Sequence, residues 1–250
     1  KDIKKGIVKL RMKNTKLSII IPCYNEKDTI VELLNKIENL NNINKEILIV
    51  DDNSNDGSRD LIENYKFLSQ NKKIYHEYNR GKGACIISAK KFISGDIVII
   101  QDADLEYDPG DYYKLIDPIL KKRTNIVYGS RVLGKKRYFS KKFTSIYRIF
   151  ANHVLTLFSN LINKQKLSDA HTCYKVFKAE TFNRVKLIET GFSFCPEITT
   201  KMSNLKENIV EVGISYEGRS YVQGKKISFY DGLVAIKTII KYKFFNWLKL

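Results

Sequence analysis

Short apolar runs alternate along the first half of the chain with stretches in which apolar residues recur every three or four positions. Residues 17–25, LSIIIPCYN, read as a buried strand closed by a proline turn; residues 27–40 then carry Ile30, Leu33, Leu34, Ile37 and Leu40 at helical spacing. The alternation continues: strand EILIVDD, helix RDLIENYKFL, strand KKIYHEY, helix GKGACIISAKKFI, strand GDIVIIQDAD, helix PGDYYKLIDPIL, strand NIVYGSRV. Buried strands that alternate with helices predict an α/β fold, a mostly parallel central sheet with helices on both faces.

The second half breaks this rhythm. Residues 143–163 predict one long helix with Phe143, Ile146, Tyr147, Phe150, Val154, Leu157, Phe158 and Leu161 on roughly one stripe. A strand (CYKVFK), a helix (CPEITTKMSN) and a strand (NIVEVGISY) follow, and an amphipathic, basic and aromatic helix closes the chain. The expected organisation is a basic segment over 1–16, an α/β domain over 17–222 and the closing helix over 223–250. The 143–163 stripe is as well explained by core packing as by an interface. The closing helix mixes Lys with Phe, Trp and Leu, as helices lying on an anionic membrane surface do, and is the better candidate for such contact. No run of about eighteen apolar residues appears, so no helix is expected to span a bilayer. The basic N-terminus also lacks the apolar stretch of a signal peptide.

In sheets of this kind ligands bind beyond the carboxyl ends of the strands. The conspicuous polar residues fall there: Asn25 and Glu26, Asp51 and Asp52, Asp102 and Asp104, Ser130 and Arg131. Two carboxylates ending an apolar strand, Asp102 and Asp104, suit a hard divalent cation that takes oxygen ligands, with Glu106 in reach. A lone Asp-x-Asp is more often a pair of solvated turn residues, but here a buried strand leads into it and basic residues lie downstream. Asp51 can accept hydrogen bonds from a ribose or base edge; capping the turn DDNSNDGS is the bland alternative. Lys82, between two glycines at a helix start, attracts phosphate, though a simple tight turn explains the glycines equally well. Arg131, followed by Lys135, Lys136 and Arg137, can neutralise a phosphate.

Charge sharpens the picture. The chain carries a net +17, and residues 131–168 contain nine Lys or Arg and no Asp or Glu. A Lys-rich composition accounts for part of this; a segment that long without an acid points to a polyanionic partner, whether phosphate, lipid headgroup or nucleic acid. The four cysteines, Cys23, Cys85, Cys173 and Cys195, have no Cys-x-x-Cys spacing, which suits reduced thiols in a cytosolic protein rather than a zinc site or disulfide framework.

Taken together the motifs IIIPCYNE, ILIVDDNSNDGS, NRGKGACIISA, GDIVIIQDADLEYDP, VYGSR and SDAHTCYKVFKAE resemble, in this order, the family 2 glycosyltransferases of the GT-A fold, and most nearly their dolichyl- or polyprenyl-phosphate sugar transferases. The likeness covers roughly residues 17–230. It implies that Pro22, Tyr24 and Glu26 bind the donor nucleotide with Asp51 near the base or ribose; Lys82, from its own place at a glycine-flanked helix start, is expected to join the donor site. It implies that Asp102 and Asp104 bind Mg²⁺ or Mn²⁺ and the diphosphate, and that Arg131 contacts an acceptor phosphate. Glu106 stands where these enzymes often have Gln, and SDAHTCYKVFK differs from their usual motif, so Asp169 carries over in position and the acceptor details do not. Glu197 is expected near the site.

The resemblance implies a metal-dependent inverting transfer from a UDP- or GDP-sugar to a polyprenyl phosphate. The enzyme would be peripheral on the cytoplasmic face of a membrane, with a membrane-spanning partner as an open option. An ionised lipid phosphate needs no general base. A sugar-hydroxyl acceptor, the alternative within the class, would need one, with Asp169 or His171 as candidates. A basic nucleic-acid-binding protein is the alternative from another class; it explains the charge but not the acidic strand ends, and no RNA- or DNA-binding signature is present.

Overall fold

A computed structural model describes residues 14–134, 146–218 and 229–245. Its centre is a seven-stranded sheet of order β3-β2-β1-β4-β6-β5-β7. The strands are β1 (Lys16–Cys23), β2 (Asn44–Asp51), β3 (Gln70–Tyr75), β4 (Ile97–Ile100), β5 (Ile126–Ser130), β6 (Lys175–Lys178) and β7 (Ile209–Gly213). All neighbours pair in parallel except β6, which runs antiparallel between β4 and β5. The reversal is consequential: β6 begins at the edge where β1, β2, β4 and β5 end, so the segment leading into it, residues 169–174, is delivered to that edge.

The helices are α1 (Ile30–Glu38), α2 (Ser58–Asn64), α3 (Lys82–Lys90), α4 (Tyr112–Leu120), α5 (Ile146–Asn163), α6 (Ala179–Asn183), α7 (Phe194–Asn204) and α8 (Phe229–Ile240). Alternate strand residues feed two cores. Ile19 and Ile21 pack with α1, α2 and α4 on one face, while Ile20 packs with α3, α6 and α7 on the other. The expected α/β sheet covered on both faces is therefore present.

Helix α5 departs from the core-packing expectation for its apolar stripe. Thr156, Ser159 and Asn163 are buried, whereas Phe150, Val154, Leu157 and Leu161 are 69%, 46%, 68% and 77% exposed. The polar face is turned inward because it has partners there. Asn160 exchanges hydrogen bonds with Leu167, and Asn163 Nδ2 donates to Ser159 and Thr200. Helix α8 packs on α5 and α7 and extends the apolar surface with Tyr230, Leu233 and Ile240, then Phe244 and Phe245 in the π-helical turn Lys241–Phe245. No helix among the described residues is long and apolar enough to cross a membrane.

Candidate active site

Four strand ends converge at the carboxyl edge of the sheet. After β1, Tyr24, Asn25 and Glu26 form a turn in which Asn25 adopts φ 54°. The β2–α2 loop pins this turn: Ser54 Oγ and Ser58 Oγ accept from the amides of Asn25 and Glu26 at 3.0 and 2.8 Å. Pro22, Tyr24 and Glu26 are all partly exposed at the edge. Thr29 Oγ1 reaches from the same turn to the carbonyl of Ala103, between the two aspartates, at 2.7 Å.

Asp51 ends β2 fully buried, and its Oδ2 lies 2.7 Å from Arg59 Nε. Asp52 next to it is also fully engaged. Its carboxylate accepts from His76 Nδ1 at 2.7 Å, from the amide of Arg80 at 2.9 Å and from that of Gly81 at 2.7 Å. Asp52, His76 and Cys85 lie close enough to suggest a metal cluster. The carboxylate is already taken up by those three donors, however, and His76 Nε2 is engaged with Ser88, so the group is a satisfied hydrogen-bond network. That network anchors the start of α3, where Lys82 forms an ion pair with Asp102. Burial opposes the ammonium charge, but Asp102 outweighs it and holds Lys82 well above its ordinary pKa.

Asp102 and Asp104 are partly exposed beyond β4, and Asp104 Oδ1 accepts from the amide of Glu106 at 3.1 Å. Beneath them Gln101, fully buried, accepts from the hydroxyls of Tyr112 and Tyr174 at 2.8 and 2.6 Å and donates to the carbonyl of Asp102 at 2.8 Å. Glu106 is turned toward the core, where Tyr216 donates to its Oε2 at 2.9 Å. The ring of Tyr216 in turn lies 5.3 Å from the Arg131 guanidinium, so this tyrosine connects the acidic loop to the cation that follows β5.

Arg131 and Asp169 form a two-point ion pair, with Nε–Oδ2 and Nη2–Oδ1 both 2.7 Å, and Asp169 fully buried. Asn152 on the inner face of α5 donates to Asp169 Oδ1 at 3.2 Å and accepts from Arg131 at 3.4 Å. Glu211 on β7 fixes the turn by accepting from the amides of Ser168 and Asp169 at 2.7 and 2.9 Å. Burial alone would raise the Asp169 pKa; the Arg131 charge and the hydrogen bonds instead hold it well below the usual carboxylate range. His171 is neutral near pH 7, driven to about 4 by burial and by the charge of Lys175, and its Nε2 has no hydrogen-bond partner. Glu197 lies deeper, fully buried, and binds the amides of Ile188 and Glu189. Lys135, Lys136 and Arg137 lie outside the described residues, as do residues 1–13 of the basic N-terminus and residues 246–250.

Asp52 enters the sequence reading only as the neighbour of Asp51 at a strand end, and Gln101, Asn152, Glu211 and Tyr216 do not enter it. Gln101 sits directly before the Asp-x-Asp and Asp52 directly after Asp51, so adjacency was the available signal for these two. The other three come from distant segments. A separate cavity of about 790 Å³ opens at the opposite edge, where β7 begins, with Lys164, Lys166, Lys206 and Lys243 around it. Lys164 directly follows α5 and Lys206 lies two residues past the end of α7, where cations answer the negative ends of helix dipoles.

Residues 18–186 match the profile of Glycosyl transferase family 2. The chain belongs to this family. Among its relatives, a dolichol-phosphate mannosyltransferase of Pyrococcus furiosus is 32% identical over 86% of this chain, which spans 61% of that relative's length. A UDP-N-acetylglucosamine–dolichyl-phosphate N-acetylglucosaminyltransferase of Methanococcus voltae is 28% identical, over 84% of this chain and 89% of its own. In solved structures the fold recurs in the glucosyl-3-phosphoglycerate synthase of Mycobacterium tuberculosis with Mn²⁺ and UDP-glucose. That alignment has a TM-score of 0.70 and 15% identity, over 95% of this chain and 82% of the synthase. The family 2 fold puts the acidic turn after β4 and the Arg131–Asp169 pair after β5 on one edge of the sheet.

Proposed function

We propose that this family 2 chain is a metal-dependent inverting glycosyltransferase that moves a sugar from a nucleotide-sugar donor to a polyprenyl phosphate of the dolichyl type. One observation supports the choice of acceptor: α5 joins the Arg131–Asp169 pair to an apolar surface. Its inner Asn152 touches the Arg131–Asp169 pair, and its outer face exposes Phe150, Val154, Leu157 and Leu161. An acceptor with a phosphate head and a hydrocarbon tail fits that combination; a water-soluble sugar has no use for the apolar face.

In this reading Pro22, Tyr24, Glu26 and Asp51 contribute to the nucleotide pocket. Asp102 and Asp104 supply hard oxygen donors at a partly exposed strand end, a set that suits Mg²⁺ or Mn²⁺. When bound, such a cation supplies positive charge against the diphosphate leaving group. Glu106 is less suited to join them, because Tyr216 holds one of its oxygens. Lys82 presents a second positive charge from beside Asp102. Arg131 binds the acceptor phosphate, and Asp169 is a positioning residue for it rather than a base, since its carboxylate is committed to the ion pair. No base is required: a phosphate monoester with a second pKa near 6 is ionised at neutral pH and attacks as it stands.

The names of the Pyrococcus and Methanococcus relatives support a dolichyl-phosphate acceptor, and the M. tuberculosis complexes support a nucleotide diphosphate with a divalent ion. The exposed stripes of α5 and α8, with Lys237, Lys241 and Lys243 alongside, support docking of this chain on an anionic membrane surface, its cytoplasmic face in this reading. The test is incubation with labelled UDP- and GDP-sugars, Mn²⁺ or Mg²⁺, and either polyprenyl phosphate or free sugars. Label in the lipid extract is the expected result, and label confined to water-soluble products would favour the sugar-hydroxyl alternative.

A further inference from the structure

Lys82 owes its position to two clamps on the turn that precedes it. Asp52 holds one side through the amides of Arg80 and Gly81. The loop at residues 188–191 holds the other. Thr190 O accepts from the amide of Ala84 at 3.0 Å, and the two backbones are so close that only glycine fits at two positions. A Cβ on Gly83 would lie 2.1 Å from the carbonyl oxygen of Glu189. One on Gly81, which has φ +89°, would lie 2.6 Å from that of Thr190.

This loop is itself anchored. Glu197 accepts from the amides of Ile188 and Glu189, both at 2.9 Å, and from Lys201 Nζ at 2.8 Å. The Glu189 side chain then turns outward to the end of the chain, where its Oε1 accepts from Lys241 Nζ at 2.7 Å and from the Tyr242 hydroxyl at 2.8 Å. Tyr242 is buried, with Lys201 Nζ 4.3 Å from its ring centre. A continuous path of hydrogen bonds and backbone contact therefore runs from Tyr242 through Glu189 and Thr190 to Gly81, Gly83 and the Lys82–Asp102 pair.

We propose that Glu189, latched by Lys241 and Tyr242, is a positioning residue for Lys82 and thereby sets the affinity of the site for the donor's diphosphate. The inference rests on the reading that Lys82 faces that diphosphate. Glu189 touches no reacting atom; it sets the register of the loop against which the Lys82 turn is packed. The C-terminal helical segment is in this way part of the donor site, although it lies far from it in sequence.

The test uses the full chain with Glu189→Gln, Tyr242→Phe and Lys82→Met, alone and combined. Binding of UDP and of GDP is followed calorimetrically in EDTA, and the donor KM, acceptor KM and kcat are measured with metal present. Glu189→Gln and Tyr242→Phe should each weaken nucleotide binding and raise the donor KM roughly 3- to 10-fold, with the acceptor KM unchanged. In the Lys82→Met background the same substitutions should add less than about 2-fold, because the group they position is gone. Loss of stability alone would not produce that non-additivity. Equal effects with and without Lys82, or an unchanged donor KM, would overturn the proposal. If Lys82→Met itself leaves nucleotide binding unchanged, or if the wild-type chain binds neither nucleotide in EDTA nor after Mn²⁺ is added, the donor reading fails first and takes the inference with it.

Discussion

Arg131 and Asp169 meet through two nitrogen–oxygen contacts of 2.7 Å across 38 residues of sequence. Neither is free to act alone. Asp169→Asn would leave a buried guanidinium without its counter-charge, at a cost of about 3–5 kcal/mol in stability. Acceptor turnover should fall at least ~100-fold, because the cation is no longer held for the phosphate. Since Asp169 stays ionised far below neutrality, its loss should lower the pH–rate profile without removing a limb between pH 5 and 8. A limb that vanishes in Asp169→Asn would mark the carboxylate as a base after all.

The acidic turn makes a separate prediction. EDTA should abolish turnover, and Mn²⁺ or Mg²⁺ should restore it. Asp104→Ala should lower kcat/KM by roughly 100-fold or more, with higher metal concentrations recovering part of the loss. Asp102→Asn should be more severe, because it also removes the charge partner of Lys82. Full activity of Asp104→Ala at low metal would sink the assignment of this turn.

The strands and their acidic ends were legible in the sequence for a physical reason: buried parallel strands are continuous apolar runs, and Asp102 and Asp104 interrupt one abruptly. The face that α5 buries was not legible. Helical period identifies the Phe150–Leu161 stripe but not its direction, which is decided by what Asn152, Thr156, Asn160 and Asn163 find to hydrogen-bond on the inner side. The antiparallel insertion of β6 was equally hidden, since four residues of KVFK look the same in either direction. The Arg131–Asp169 pair depends on that topology, and Glu189 and Tyr242 lie 53 residues apart, so local spacing had no means of revealing either contact. Position at a strand end likewise does not reveal that Asp51 is fully buried against Arg59.

Away from the site, Glu46 ties β2 to the β1 and β4 entrances. It is buried and accepts from Ser18 Oγ at 2.5 Å and the Ser94 amide at 2.7 Å, with Lys16 Nζ at 2.9 Å. Burial would raise its pKa, but the hydrogen bonds from Ser18, Ser94 and Lys16 lower it from 4.5 to about 2. A depressed folded-state value stabilises the protein above the unfolded pKa, and the contribution is lost as pH falls from about 4.5 toward 2. Glu46→Gln should therefore cost up to ~3 kcal/mol at pH 7 and progressively less below pH 4. Urea unfolding at pH 7 and pH 3 reads this directly, and a pH-independent difference would contradict it.

The outward stripe of α5 leads to the last prediction. Phe150 and Leu157 are 69% and 68% exposed, so truncating them should leave folding stability within about 0.5 kcal/mol. If they enter a lipid surface, each loses about 1.5–3 kcal/mol of apolar burial, and partition into anionic vesicles should fall roughly tenfold or more per substitution. Co-sedimentation of Phe150→Ala and Leu157→Ala with vesicles of mixed anionic and neutral lipid measures this. Raised salt should weaken binding of the wild type and of both variants alike, because the flanking lysines are untouched. Turnover of a polyprenyl phosphate presented in vesicles should fall with partition, whereas a short-chain soluble analogue should be used as well as before. Unchanged partition in both variants would remove the membrane from this face and, with it, the argument that ties α5 to a lipid acceptor.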